Sequence, residues 1–233
     1  MLGVAASEDS HARLIALTVH ELRTPASVVG GYLRMLQMDT TPMSERQRRM
    51  IGEAEKSYER LVAIVAELSD IGKLDSGAIA PSRQPVDLFP LIDEAAGNVQ
   101  EGKDREVQLT VSGPSSGASI SGDAARLRPA FDAILRAMLR ERPGPAAVTA
   151  ERRLDTHDGR ARALLVVANT GHTQDACDRE PAAFDEGRGG MGLALPLARR
   201  VIEAHGGRIW SPVAVDADAD PLARGTVLVS FPL

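Results

Sequence analysis

His20-Glu21-Leu22-Arg23-Thr24-Pro25 lies inside a long stretch of helical periodicity. Apolar residues recur around it at Leu14, Leu17, Leu22, Val29, Leu33 and Leu36, preceded by Ser7, Glu8 and Asp9 as capping and first-turn residues. At about 100° per residue, His20 sits roughly 160° from the centre of that stripe, so its imidazole is expected to face solvent. An exposed imidazole beside a carboxylate is a candidate nucleophile, because Glu21 can accept one ring N–H and leave the other nitrogen more basic. Thr24, one turn on, can orient a water near His20. Pro25 removes a backbone donor and is expected to loosen the helix there. On spacing alone, a solvated surface histidine beside a kink accounts for the same string.

The segment Met38–Ser44 breaks the pattern with Pro42 and offers Ser44 as a cap. A second helix then repeats apolar residues at Met50, Ala54, Tyr58, Leu61, Val65, Leu68 and Ile71. Two such helices joined by a short loop predict an antiparallel hairpin. One hairpin cannot bury both stripes, so two copies are expected to pair as a four-helix bundle, a homodimer. Residues 1–72 form this helical domain, and the turn-rich residues 73–85 form a linker. From 86 to 233 strands and helices alternate. Helices are expected at 88–101, 123–142 and from Gly192 to His205, with strands at 106–112, 146–152, 162–168, 208–210 and 226–231. That pattern is an α/β sandwich with a mixed sheet.

The 233 residues suffice for one large domain or two small ones with a real core, and 43% hydrophobic against 25% charged residues is a globular balance. A net charge of -5 argues against capture of nucleic acid or of anionic membrane. The lone Cys177 excludes an intrachain disulfide framework and a cysteine-built zinc site, and suits a reducing cytoplasm. No apolar run approaches the roughly 18 residues of a membrane span, and the start lacks the flanks of a signal peptide.

Two further strings carry chemistry. Gly189-Gly190-Met191-Gly192-Leu193-Ala194-Leu195 places glycines ahead of a helix, where backbone N–H groups can approach phosphate; a packed glycine turn has the same pattern. Val166-Val167-Ala168-Asn169-Thr170-Gly171 is a strand ending in a polar amide, which by itself is a strand and a turn. The arginines of 46–49 read as a solvated helical turn, and the acidic run 216–220 as an exposed loop.

Taken in order, the His20 string on a hairpin, Asn169-Thr170-Gly171, the glycine string and His205-Gly206-Gly207 resemble the sensor histidine kinases of two-component signalling, over nearly the whole chain. The resemblance implies a dimeric hairpin carrying a phosphoacceptor histidine, followed by an ATPase domain of the Bergerat type that binds Mg-ATP. It assigns His20 as acceptor, Glu21 as the acid assisting proton transfer, and Thr24 as the residue linked to phosphatase activity. Asn169, Gly171, Gly190, Gly192, Leu193 and Arg140 correspond to nucleotide-binding positions. The implied partner is a response-regulator receiver domain, whose aspartate takes the phosphoryl group.

The nucleotide motif departs from that family. The two asparagines expected on the helix after Asp123, one of which helps hold Mg²⁺, are Ala133 and Ala137. The adenine-reading aspartate is Asn169, and the segment between Gly171 and Gly190 is short. Losing a metal-side oxygen and weakening an adenine contact costs about 1–3 kcal/mol each. Glu141, one turn from Ala137, is a candidate replacement carboxylate for the metal. Three functions follow: an autokinase phosphorylating His20 from Mg-ATP, a degenerate kinase that does not use ATP and acts as histidine phosphotransferase or receiver phosphatase, and a dimeric docking scaffold.

Overall fold

A computed structural model describes residues 2–38, 43–216 and 219–233, with side chains described from residue 14 on. The chain divides into two compact units, Met1–Ile79 and Ala80–Leu233.

The first unit is a helical hairpin. Helix α1 runs Leu2–Met38 and continues through Pro25; it starts ahead of Ser7, Glu8 and Asp9, which therefore lie within the helix and do not cap it. The residues at 39–42, including Pro42, lie outside those described. Helix α2 runs Glu45–Asp75 and opens on a reciprocal cap, with Ser44 Oγ accepting from the Gln47 N–H and the Gln47 side chain accepting from the Ser44 N–H. It extends into the stretch read as linker. The helices are antiparallel: Gly72 packs on Ile15, and Gly30 packs on Tyr58 so closely that an added Cβ would lie 2.2 Å from the Tyr58 hydroxyl. Within one chain the pairing buries Val19, Val65 and Ile71. It leaves Leu14, Leu17, Val29, Tyr32 and Met35 exposed by 50% or more.

The second unit is an α/β sandwich. A small antiparallel pair, β1 (Gln84–Asp87) with β3 (Ser119–Gly122), flanks a six-stranded sheet ordered β2-β4-β5-β8-β7-β6. Its strands are β2 Val107–Ser112, β4 Ala146–His157, β5 Arg160–Asn169, β6 Pro181–Ala182, β7 Arg208–Pro212 and β8 Val227–Pro232. Only β2 and β4 run parallel, so the sheet is mixed as expected. Helices α3 (Leu88–Asn98), α4 (Ala124–Arg140) and α6 (Ala194–Ala204) pack on one face, with Phe131 of α4 edge-on to Phe231 of β8 at 6.3 Å. A short helix α5 (Thr173–Asp178) puts Ala176 on the opposite face, against Leu164, Val166, Ala168 and Leu228.

Two polar fastenings close this unit. Asp87 accepts from the N–H groups of Phe89, Gly117 and Ala118, which caps α3 and pins the glycine-serine turn before β3. His205 donates from Nδ1 to the Val201 carbonyl at 2.6 Å and accepts from the Asp123 N–H at Nε2, 2.9 Å. It thereby joins the end of α6 to the start of α4. Gly207 follows because an added Cβ would meet Phe231 at 2.7 Å and Ile202 at 2.8 Å. His205-Gly206-Gly207 is thus accounted for by packing.

Candidate functional site

On α1, Val19 is buried against α2 while the His20 side chain is 78% exposed, so adjacent residues face core and water as the helical period requires. His20 Nδ1 lies 3.3 Å from Glu21 Oε1. A neutral imidazole that donates from Nδ1 to this carboxylate carries its lone pair on Nε2, directed away from the contact. Thr24 is exposed one turn further along α1. His20 and Arg23 line a cleft of about 480 Å³ with Gly72 and Lys73 of α2 and with Ser76, which caps that helix. The cleft therefore carries a cationic side chain from each helix, Arg23 and Lys73, the latter 3.8 Å from Asp70.

The nucleotide-type residues occupy the second unit. Asn169 ends β5, and its Nδ2 donates to the Pro221 carbonyl at 3.2 Å. Gly171 turns the chain at φ +90°. Gly190 and Gly192 have φ of +61° and +63°, a conformation suited to glycine, and Leu193 precedes α6 without a side-chain cap. Arg140 points elsewhere: its guanidinium lies 3.6 Å from Glu101, beside Arg136. Burial disfavours the Glu101 carboxylate, but the Arg136 hydrogen bond and the two guanidinium charges outweigh it and hold this carboxyl below its ordinary range. The structure thus brings Gly190, Gly192 and Leu193 together ahead of α6 and turns Arg140 toward the α3–β2 connection.

The positions that the family resemblance gives to Mg²⁺ supply no ligand oxygen here. Ala133 and Ala137 are buried and offer no oxygen. The glycine loop lies directly on α4, where a Cβ at Gly189 would fall 2.7 Å from both Cα and O of Ala137. Glu141 does not take the metal-ligand role expected of it. Its carboxylate is gripped by Arg188, Nε to Oε1 at 2.8 Å and Nη2 to Oε2 at 2.5 Å, and also accepts from the Gly225 N–H. Arg188 completes its own set on Ser211 Oγ at 2.7 Å and the Thr226 carbonyl at 2.9 Å. Among the described residues, no group of three or more His, Cys, Asp or Glu side chains is placed to hold a metal ion.

The Arg188–Glu141 clasp is the feature that sequence reasoning missed. Arg188 abuts the glycine string, but its partner stands 47 residues earlier, and no local periodicity links the two. Cys177 is half-buried; burial pushes its thiol up, so it remains protonated and is not a ready nucleophile.

The chain thus combines a helical hairpin bearing an exposed histidine beside a carboxylate with a mixed α/β sandwich that has a glycine loop ahead of its last helix. Residues 10–77 match the His Kinase A (phospho-acceptor) domain. The chain is 29% identical over 224 residues to the signal transduction histidine-protein kinase BaeS of Escherichia coli (strain K12), covering 92% of this chain and 45% of that relative. It is 31% identical over 216 residues to the probable sensor histidine kinase TcrY of Mycobacterium tuberculosis, covering 88% of this chain and 43% of that relative. Among solved structures, full-length ShkA in complex with AMPPNP superposes with a TM-score of 0.62 at 23% identity, over 94% of this chain and 45% of that one. The Acinetobacter baumannii histidine kinase AdeS superposes at 0.55 and 13% identity, over 92% and 96%. This chain belongs to the two-component sensor histidine kinase family and has its fold. It spans less than half the length of BaeS and TcrY. Among the described residues, no helix is long and apolar enough to cross a membrane.

Proposed function

We propose that His20 accepts and returns a phosphoryl group in a two-component relay, on a hairpin paired as a homodimer, and that the α/β unit does not turn over Mg-ATP. One observation carries this reading. His20 Nδ1 lies 3.3 Å from Glu21 Oε1, a contact that supports an acceptor imidazole, whereas the positions that the resemblance gives to the metal are alanines, one of them packed under Gly189.

The chemistry balances without nucleotide. Nε2 of His20 attacks phosphorus of an aspartyl phosphate on a receiver domain; the N–P bond forms as the P–O bond breaks, and the aspartate leaves as carboxylate. His20 keeps its Nδ1 proton, and the Glu21 carboxylate that accepts from it stabilises the positive charge growing on the ring. Arg23 and Lys73, in the same cleft, balance the phosphoryl oxygens. Thr24 orients water for hydrolysis of the receiver's phosphate. Reversal of the first step hands the phosphoryl group to a receiver aspartate.

The test is label transfer to the full chain from a phosphorylated receiver in one arm and from Mg-ATP in another. Acid-labile, base-stable label on His20 from the receiver, absent in His20→Ala, is expected, with none from Mg-ATP. Label from Mg-ATP would establish an autokinase and overturn the nucleotide part of the reading. No label from either donor would leave a docking scaffold.

Pairing of the hairpins is supported by the exposed stripe of α1, since burial of each such side chain contributes about 1.5–3 kcal/mol. The chain is expected to sediment as a dimer, and the double substitution Val29→Asp and Leu36→Asp to weaken self-association by roughly 100-fold or more. A wild-type monomer at micromolar concentration would contradict the pairing.

A further inference from the structure

The face of the sheet opposite α3, α4 and α6 carries a cationic cleft that the relay does not use. Cross-strand partners share a face, and the register sets His157 beside Arg160, Arg162 beside Pro232, and Arg208 beside Ser230. Trp210, two residues beyond Arg208, projects the same way. With Arg179 these side chains line a cleft of about 440 Å³, within the size range of small-ligand sites.

Its charge is not balanced. Arg162 is held by Asp155 at 2.6 Å, Arg179 by Asp220 at 2.9 Å, and His157 lies 3.6 Å from Asp158. Among the described residues, no carboxylate pairs with Arg160 or Arg208. The Arg208 guanidinium sits 5.2 Å from the centre of the Trp210 ring, which holds it over the sheet. Two unpaired guanidinium groups in a chain of net charge -5 are a local excess of cation at a concave surface.

We propose that this cleft binds a small phosphate ester bearing a planar ring, of the nucleotide class, at a site separate from the glycine loop. The guanidinium forks of Arg160 and Arg208, with the Ser230 hydroxyl, present more donors than a carboxylate's two oxygens use, and suit a phosphate. Trp210, Pro181 and Pro232 give the cleft an apolar wall against which a ring can lie. The occupant is therefore small, anionic and flat on one side.

Trp210 is the chain's single tryptophan and lines this cleft, so its fluorescence reads binding there, and the arginine variant separates that signal from binding elsewhere. Titrating the full chain with AMP and with pyrophosphate, both without metal, is expected to give a saturable change for each, with AMP the tighter. The Arg160→Gln/Arg208→Gln variant, which alters exposed residues, is expected to bind AMP roughly ten- to hundredfold more weakly while melting like wild type. Raising salt should weaken wild-type binding. Three outcomes would overturn the proposal: no response to either probe, AMP binding that survives in the variant and so belongs to the glycine loop, or a response to polyglutamate alone, which would make the cleft a docking surface for an acidic protein. His20→Ala should bind AMP like wild type, so this result stands or falls apart from the relay.

Discussion

Arg188→Ala lowers the stability of the α/β unit by about 3–5 kcal/mol, the cost of leaving a buried charge without its partner. The Arg188 side chain is 9% exposed and that of Glu141 15%. Removing the guanidinium strands the Glu141 carboxylate and leaves Ser211 Oγ and the Thr226 carbonyl without their donor. Glu141→Ala is expected to cost at least as much, because Arg142 stands beside the pair. Arg142 is 7% exposed, with Nε and Nη2 buried and unpartnered. Burial lowers its pKa, Glu141 opposes that, and Arg188 adds to the lowering. Without Glu141 two guanidinium groups face each other. The double variant Glu141→Leu/Arg188→Met should recover only part of the loss, since it removes the paired charges but leaves Arg142 without its neighbouring carboxylate and Ser211 Oγ and the Thr226 carbonyl without their donor. Urea unfolding followed at Trp210 measures all three. Single variants within about 0.5 kcal/mol of wild type would show that the clasp does not hold the glycine loop to α4.

The second large effect is at Glu21. Glu21→Gln is expected to slow phosphoryl acceptance by His20 about 100-fold, the lower range for a positioned proton-transfer partner. Stability should change by less than about 0.5 kcal/mol, because the side chain is 71% exposed. Thr24→Ala is expected to separate transfer from hydrolysis: transfer to and from His20 continues, and hydrolysis of the receiver's phosphate slows. Stopped-flow transfer from a labelled receiver reads both rates. An unchanged rate in Glu21→Gln would mean that the helix alone orients the imidazole. A loss of stability equal to the loss of rate would mean that Glu21 is structural.

The exposure of His20 could be read from the sequence because a helix sets side-chain direction by a local period, although within one chain it is the adjacent Val19 that is buried while Leu14 and Leu17 of the apolar stripe stay exposed. The same holds for Ala133 and Ala137, whose identity alone removes the oxygens a metal would need. The hairpin, the mixed sheet and the main strands follow from periodicity for the same reason, although β4 and β5 each extend further than their apolar runs.

The relations that tertiary structure decided join residues far apart in the chain. Asp87 captures Gly117 and Ala118, and Arg188 captures Glu141 across 47 residues. The cleft beside Trp210 gathers arginines from β5, β7 and the segment after α5. The pair β1 and β3 and the helix α5 are too short for a period to announce them; the two strands form by pairing with each other, from Gln84 with Gly122 to Asp87 with Ser119, and α5 by packing Ala176 on the larger sheet. A charge in a sequence states only that a partner is needed when it is buried. Which partner answers is set by the packing of distant segments, and here that packing turned Glu141 from a prospective metal ligand into half of an internal ion pair.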